Sequence, residues 1–363
     1  MTKRAHNFNP GPAAIPLPAL KKAQEEFLDF AGTGMSILEV SHRSKEYEKV
    51  HYAATDLLRE LLRVPSDYKI LWLQGGASTQ FFMVPMNLQV QGKPMEYVIT
   101  GGWAEKALTE AKLFGETRIV ATSKDQKYTF IPEEVRFNAG AAFGHITSNN
   151  TLYGTEWPYW PTVPEDVPLV CDMSSDFMAR VVDVKKFGVI YAGAQKNLGP
   201  AGVTVVIVRE DLLGRAPENI PTMCKWRTHA KDDAPSLYNT PPVFAIYISK
   251  LALDYTKEVG GIPAIEKVNR QKAKIIYDVI DASGGFYRGH ARPDSRSLMN
   301  ITFRLPSEEL ETKFADEAKK LGMIGLKGHR SVGGMRASLY NAVTVESAKV
   351  LGEFMTEFQA KNQ

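Results

Sequence analysis

A chain of 363 residues is longer than one hydrophobic core usually serves, so a large domain with a smaller companion is expected. Hydrophobic residues at 44% and charged residues at 23% make an ordinary globular balance, and a formal net charge of +3 argues against a nucleic-acid stripe. A mild positive bias still favours gathering an acidic, phosphorylated ligand.

Cys171 and Cys224 are the only cysteines and share no close spacing. That argues against a disulfide framework or a zinc site, and makes a reducing, cytoplasmic setting the simpler expectation. The opening MTKRAHNFNPGPAAIP lacks the apolar stretch of a signal sequence. Nowhere do about 18 apolar residues run uninterrupted, so no membrane span is expected.

Pro10, Gly11, Pro12, Pro16 and Pro18 keep the N-terminal arm from starting as a regular helix. A helix is expected over 17–30, with Leu20, Ala23, Phe27 and Phe30 on one face. The loop GTGMSILEVSHRS leads to a long helix over about 46–62. Seven apolar runs then alternate with helical patterns: YKILWLQ, MEYVIT, TRIVAT, FGHITS, PLVCDMSS, FGVIYAGAQ and GVTVVIVR. Such alternation predicts an α/β domain, its mostly parallel sheet covered by helices on both faces. Ligands of these sheets collect at the carboxyl ends of the strands. Past about Gly260 come a charged helix over 262–282, the strand MNITFRL, a helix over 308–321 and a last helix, an α+β domain of its own. The expected division is 16–260 for the large domain, and 1–15 with 261–363 for the small one.

Lys196 follows a strand-like run and precedes a Gly/Pro-rich turn. Burial there would lower its pKa toward the free amine that condenses with an aldehyde; from local context alone, a surface loop lysine is an equal reading. Asp172 ends another apolar strand, where it would hold a protonated ring nitrogen or merely cap a turn. An Asp and a Lys ending neighbouring strands about two dozen residues apart suit the two ends of one cofactor ring. In LQGGASTQF, Gly76, Ala77 and Ser78 open a helix whose free N–H groups suit a phosphate. The motif is weak, and it matches neither the dinucleotide fingerprint nor the P-loop. Trp103 past a strand end suits stacking on a flat ring or plain core packing. Thr151 offers a hydroxyl near the same sheet edge, or a turn. His42 and Arg43 in SHRSKEY, with His329, Arg330 and Arg336 in GHRSVGGMRAS, form two basic clusters in Gly/Ser loops, suited to a ligand with several negative charges.

NFNPGPAAIP, GMSILEVSHRSKEYE, QGGASTQF, HITSNNTLYGT, CDMSSD, YAGAQKNLGPAGV, LYNTPP and KGHRSVGGMRASLYNA, in this order, resemble the phosphoserine aminotransferase family from Asn7 to Ala342. The resemblance implies a fold-type I transferase dependent on pyridoxal 5'-phosphate. It would be a homodimer sharing its sites between subunits, interconverting 3-phosphohydroxypyruvate plus L-glutamate with O-phospho-L-serine plus 2-oxoglutarate. That reaction serves serine synthesis, and a parallel one serves vitamin B6 synthesis in many bacteria. Carried over, Lys196 resembles the Schiff-base lysine, Asp172 the partner of the pyridine nitrogen, Trp103 the stacking ring and Thr151 the ligand of the phenolic oxygen. Gly76, Ala77, Ser78 and Gln195 would cradle the cofactor phosphate, joined by Asn239 and Thr240 from the neighbouring subunit. Arg43 and Arg336 look like substrate-carboxylate ligands; His42, His329 and Arg330 look like the substrate-phosphate grip, the last two also arriving from the neighbour. Some members carry arginine where this chain has Ala77, so the phosphate grip is expected to differ in detail. A related serine–glyoxylate aminotransferase, a cysteine desulfurase or a non-catalytic module are the competing readings. Cys171 lies in a buried-looking strand and Cys224 has no obvious activating neighbour, which weighs against the desulfurase.

Overall fold

The computed structural model describes residues 4–363. In chain order the elements begin with β1 (His6–Asn7), α1 (Leu17–Glu25), α2 (Lys45–Leu62), β2 (Tyr68–Leu73), α3 (Gly76–Leu88), β3 (Met95–Ile99), α4 (Gly102–Ala111) and β4 (Thr117–Thr122). Next come β5 (Phe143–Thr147), β6 (Asn149–Asn150), β7 (Thr155–Glu156), β8 (Leu169–Asp172), β9 (Val189–Gly193), β10 (Thr204–Arg209), α5 (Trp226–His229) and α6 (Val243–Glu258). The chain closes with α7 (Gly261–Ala282), β11 (Arg288–Gly289), β12 (Asn300–Arg304), α8 (Glu308–Lys320), β13 (Met323–Ile324), β14 (Met335–Ser338) and α9 (Val345–Asn362).

All seven apolar runs enter one seven-stranded sheet, ordered β2-β10-β9-β8-β5-β3-β4. Only β10 runs against its neighbours, β2 and β9; the other pairings are parallel. Near-continuous burial of β3, β5, β8 and β9 follows from cover on both faces. On one face Ala54, Leu58 and Leu62 of α2 and Ile246 and Leu253 of α6 pack on Cys171, Ile190 and Val205. On the other, Phe81, Val84 and Leu88 of α3 with Ala104, Leu108 and Ala111 of α4 cover Val170, Tyr191 and Val206. The alternation along each strand therefore decides which layer a side chain meets, and Asp172 at the end of β8 falls on the α3/α4 side with Val170.

A separate core lies in the C-terminal part, where Ile276, Ile280, Phe314, Leu351 and Phe358 of α7, α8 and α9 cover the three-stranded sheet β11-β12-β14. Phe8 of the arm joins that core, and β1 pairs in parallel with β13. The first helix departs from expectation. It stops at Glu25 rather than reaching Phe30, and its buried residues are Ala19 and Ala23, while Leu20 and Phe27 are exposed. Past Glu26 the backbone folds back, with the Gly34 N–H donating to Asp29 Oδ1 at 2.8 Å and Phe30 meeting Tyr247 edge-on at 5.4 Å. Tertiary packing of Phe30 overrides the helical periodicity. The second helix begins one residue earlier than expected, where the Ser44 hydroxyl caps the Tyr47 N–H at 3.3 Å.

Candidate active site

The carboxyl ends of β5, β8 and β9 meet the start of α3 around a cavity of about 220 Å³. Gly76, Ala77, Ser78, Trp103, Thr151, Asp172, Gln195 and Lys196 line it, joined by Thr147, Asn149, Ser174 and Ser175. The residues expected to hold a cofactor within one chain therefore share one wall, and Lys196 faces a cavity rather than lying in a surface loop.

Gly75 precedes α3 with φ of 92°, and no side chain caps the helix. A Cβ at Gly75 would stand 1.8 Å from Thr79 Oγ1, so only glycine lets the chain enter the helix here. The first N–H groups of α3 are left facing the cavity with the positive end of the helix dipole. Trp103, at the start of α4, presents its ring 5.9 Å from Lys196 Nζ.

Lys196 Nζ donates to Thr151 Oγ1 at 2.6 Å. Burial pushes this amine down to about 8, against the opposing pull of the Asp172 carboxylate. Asp172 is raised, first by burial; the Ser174 side chain and N–H, the latter 2.9 Å from Oδ1, and the charge of Lys196 oppose that rise. The Asp thus caps its own turn and also faces the cavity, so the two roles coexist. Arg336, on β14, is 4% exposed and reaches Thr151 O with Nη1 at 3.3 Å. It pairs with no carboxylate among the described residues, and its Nε is buried without a partner, as are Trp103 Nε1 and Thr147 Oγ1. A buried guanidinium left without an anion is costly; Arg336 does not itself line the cavity but adjoins it through Thr151, which does.

An uncapped helix start for a phosphate, an indole face, a carboxylate opposite and a partly deprotonated amine between them fit pyridoxal phosphate in shape and in chemistry.

Other expected residues stand elsewhere in the single chain. His42 and Arg43 lie on the loop before α2, Arg43 exposed, and neither lines the cavity. Asn239 borders a separate cleft beside Gln74, whose amide donates to Thr240 O at 3.1 Å. His329 and Arg330 sit on an open loop, where burial and then the charges of Arg336, Arg330 and Lys106 push the His329 imidazole down.

Sequence reasoning passed over a buried cluster behind Asp172. Arg180 pairs with Asp176 at 3.1 Å and Glu156 at 3.2 Å, and Glu156 Oε2 accepts the Leu298 N–H at 2.7 Å. Ser148 Oγ bonds both Asp176 and the Asp172 carbonyl, so the cluster braces the end of β8. Asp176 and Arg180 are four residues apart just beyond CDMSS, the one signal available.

A family model for aminotransferase class-V matches residues 5–351. The chain belongs to the class-V aminotransferases. The phosphoserine aminotransferase of Geobacillus kaustophilus is 58% identical over 99% of both chains. A solved phosphoserine aminotransferase, studied for radiation damage of its Schiff base, is 56% identical with a TM-score of 0.96, covering 99% of this chain and 100% of that one. The enzyme from Trichomonas vaginalis, solved with bound PLP, is 37% identical with a TM-score of 0.92, covering 97% of this chain and 100% of its own. For a class-V aminotransferase this likeness fixes the fold as fold-type I. No helix among the described residues is long and apolar enough to cross a membrane.

Proposed function

We propose that this class-V aminotransferase is a phosphoserine aminotransferase. It exchanges the amino group of L-glutamate with 3-phosphohydroxypyruvate to give 2-oxoglutarate and O-phospho-L-serine, a step of L-serine biosynthesis with vitamin B6 synthesis as an optional second duty. The observation that carries the reading is Thr151, which holds the buried amine of Lys196 through its hydroxyl and the unpaired guanidinium of Arg336 through its carbonyl. An amino acid bound by its carboxylate at Arg336 would bring its α-carbon toward Lys196.

When bound, pyridoxal phosphate supplies an aldehyde carbon and a ring that withdraws electrons. Gly76, Ala77, Ser78 and Gln195 would hold its phosphate, Trp103 one ring face, Thr151 the phenolic oxygen and Asp172 the ring N–H. Asn239 and Thr240 of a second copy would complete the phosphate grip in a cytoplasmic homodimer. With the cofactor in place, Lys196 Nζ would take the proton from the substrate α-carbon and later return one, for which an amine near 8 is well matched. As a carboxylate, Asp172 would favour the protonated form of the ring nitrogen. The two half-reactions share one pocket, so the same donors serve the γ-carboxylate and the phosphate. His42, His329 and Arg330 are the candidates for that grip, and Arg43 joins Arg336 as the candidate for the substrate carboxylate. The division into 16–260 and 1–15 with 261–363 draws support from the separate C-terminal core; residues 1–3 lie outside the described residues.

The test is transamination of glutamate with phosphohydroxypyruvate, run beside pyruvate and glyoxylate. Turnover is expected to favour the phosphorylated acid strongly; a preference for glyoxylate would replace this reading with that of a glyoxylate aminotransferase.

A further inference from the structure

Asn149 lies two residues before Thr151 and lines the cavity, yet its amide belongs to a buried chain that leaves the site. Its Nδ2 donates to Ser175 Oγ and to Asn300 Oδ1, both at 2.8 Å, and its Oδ1 accepts from Ser297 Oγ at 2.5 Å. Asn300 Nδ2 continues to Ser338 Oγ at 3.0 Å and to the Tyr340 hydroxyl at 3.2 Å, which donates to Pro10 O at 3.0 Å.

The direction of this chain is determined by its members. Ser297 Oγ already accepts the N–H groups of Met299 and Asn300 at 3.0 and 2.9 Å, so its own proton must go to Asn149 Oδ1. Asn149 then has only donors left for Asn300, which must accept with Oδ1 and donate with Nδ2. All these side chains are buried, with Asn149 at 1% and Asn300 and Ser338 at 0% exposure, so a lost partner leaves a buried polar group to be satisfied. Ser338 ends β14, the strand that also carries Arg336. Asn300 pairs with Ser338 in the ladder of β12 and β14, and Thr302 with Arg336.

We infer that Asn149 and Asn300 are positioning residues, whose linked amides set where Arg336 stands relative to Lys196. The strand bearing the anion grip is thereby tied to the segment bearing Thr151. The inference rests on the proposed role of Arg336 as a substrate-carboxylate ligand. It touches neither the cofactor phosphate nor the ring nitrogen, so its signature is selective. Substrate binding suffers while cofactor binding and the saturated rate do not.

The experiment compares Asn300→Ala, the milder Ser297→Ala, the double variant and Arg336→Lys as cofactor-loaded enzymes. Loss of a buried hydrogen bond of this kind should raise KM for glutamate and phosphohydroxypyruvate roughly tenfold in Asn300→Ala, with kcat within about threefold of the parent. Binding of 3-phosphoglycerate, which has the carboxylate and phosphate but no carbonyl or amine to react, should weaken by a similar factor in calorimetry. The visible absorption and the cofactor titration should match the parent. The double variant should cost less than the product of the two single effects, because one chain is being cut twice. If Arg336→Lys leaves KM unchanged, the assignment of Arg336 itself fails. If Arg336→Lys raises KM while Asn300→Ala and Ser297→Ala leave it alone, or lower kcat and cofactor affinity instead, the positioning inference is overturned. Should Asn300→Ala not fold, Ser297→Ala alone decides.

Discussion

Replacing Lys196 by methionine should stabilise the cofactor-free protein even as it abolishes the reaction. The amine is held near 8 against an ordinary 10.5, so the folded state binds its proton less tightly than the unfolded chain does. A lysine depressed in this way destabilises the fold fully below about pH 8, and the penalty fades as pH climbs toward 10.5. From those two values the penalty at pH 7 is about 3 kcal/mol, falling to roughly 1.4 kcal/mol at pH 9.5. Methionine removes the penalty but forfeits the bond to Thr151 Oγ1, worth about 1 kcal/mol. The net gain is then about 2 kcal/mol at pH 7 and close to zero at pH 9.5, which a chain of this length shows as a few degrees in Tm. Scanning calorimetry of both cofactor-free proteins at the two pH values gives the comparison. Equal Tm values at pH 7, or a gain that is the same at pH 9.5, would refute the burial argument for the amine.

Exchanging Asp172 for asparagine should leave cofactor uptake measurable but lower kcat by about 10²–10³-fold, the usual cost of removing a preorganised electrostatic partner; a rate within tenfold of the parent would contradict the role given to that carboxylate. Arg336→Lys keeps the charge but not the fork, so KM for both amino acids should rise about tenfold with little change in the absorption spectrum. Arg180→Met should cost about 3–5 kcal/mol at pH 8, because Asp176 and Glu156 would be buried without a cation. Burial raises both carboxyls, and they would protonate further without Arg180, so the loss should shrink by pH 5; denaturant unfolding at both pH values tests the sign.

The parts of the fold that could be read from the chain were those governed by local pattern. Six of the seven runs declared the sheet because strands buried on both faces carry an almost unbroken apolar signal, while the edge strand β4 is largely exposed. Lys196 and Asp172 could be paired because strand ends in such a sheet converge at one edge. Antiparallel β10 was not legible, since direction within a sheet depends on the connection and leaves no mark on VTVVIVR. The end of α1 was misjudged because Phe30 answers to Tyr247, more than two hundred residues away. Asn149 was equally hidden. It sits in the same SNNT stretch as Thr151, but its importance arises from Ser297 and Asn300, which only the folded chain brings alongside. Asn239 and Thr240 were named from resemblance and His42 and Arg43 first as a basic cluster, and the single chain holds all four outside the cavity.

Among the described residues two lysines carry strongly depressed amines: half-buried Lys196 at about 8 and fully buried Lys272 at about 7, the latter spent on the carbonyls of Leu339 and Tyr340. Only Lys196 opens on the cavity. Borohydride reduction of the yellow enzyme, followed by peptide mapping, therefore asks the central question directly. The cofactor mass should appear on the peptide containing Gln195, Lys196 and Asn197 and nowhere else. A tag on Lys272 or on any other lysine, or a protein that takes up no pyridoxal phosphate, would contradict the account.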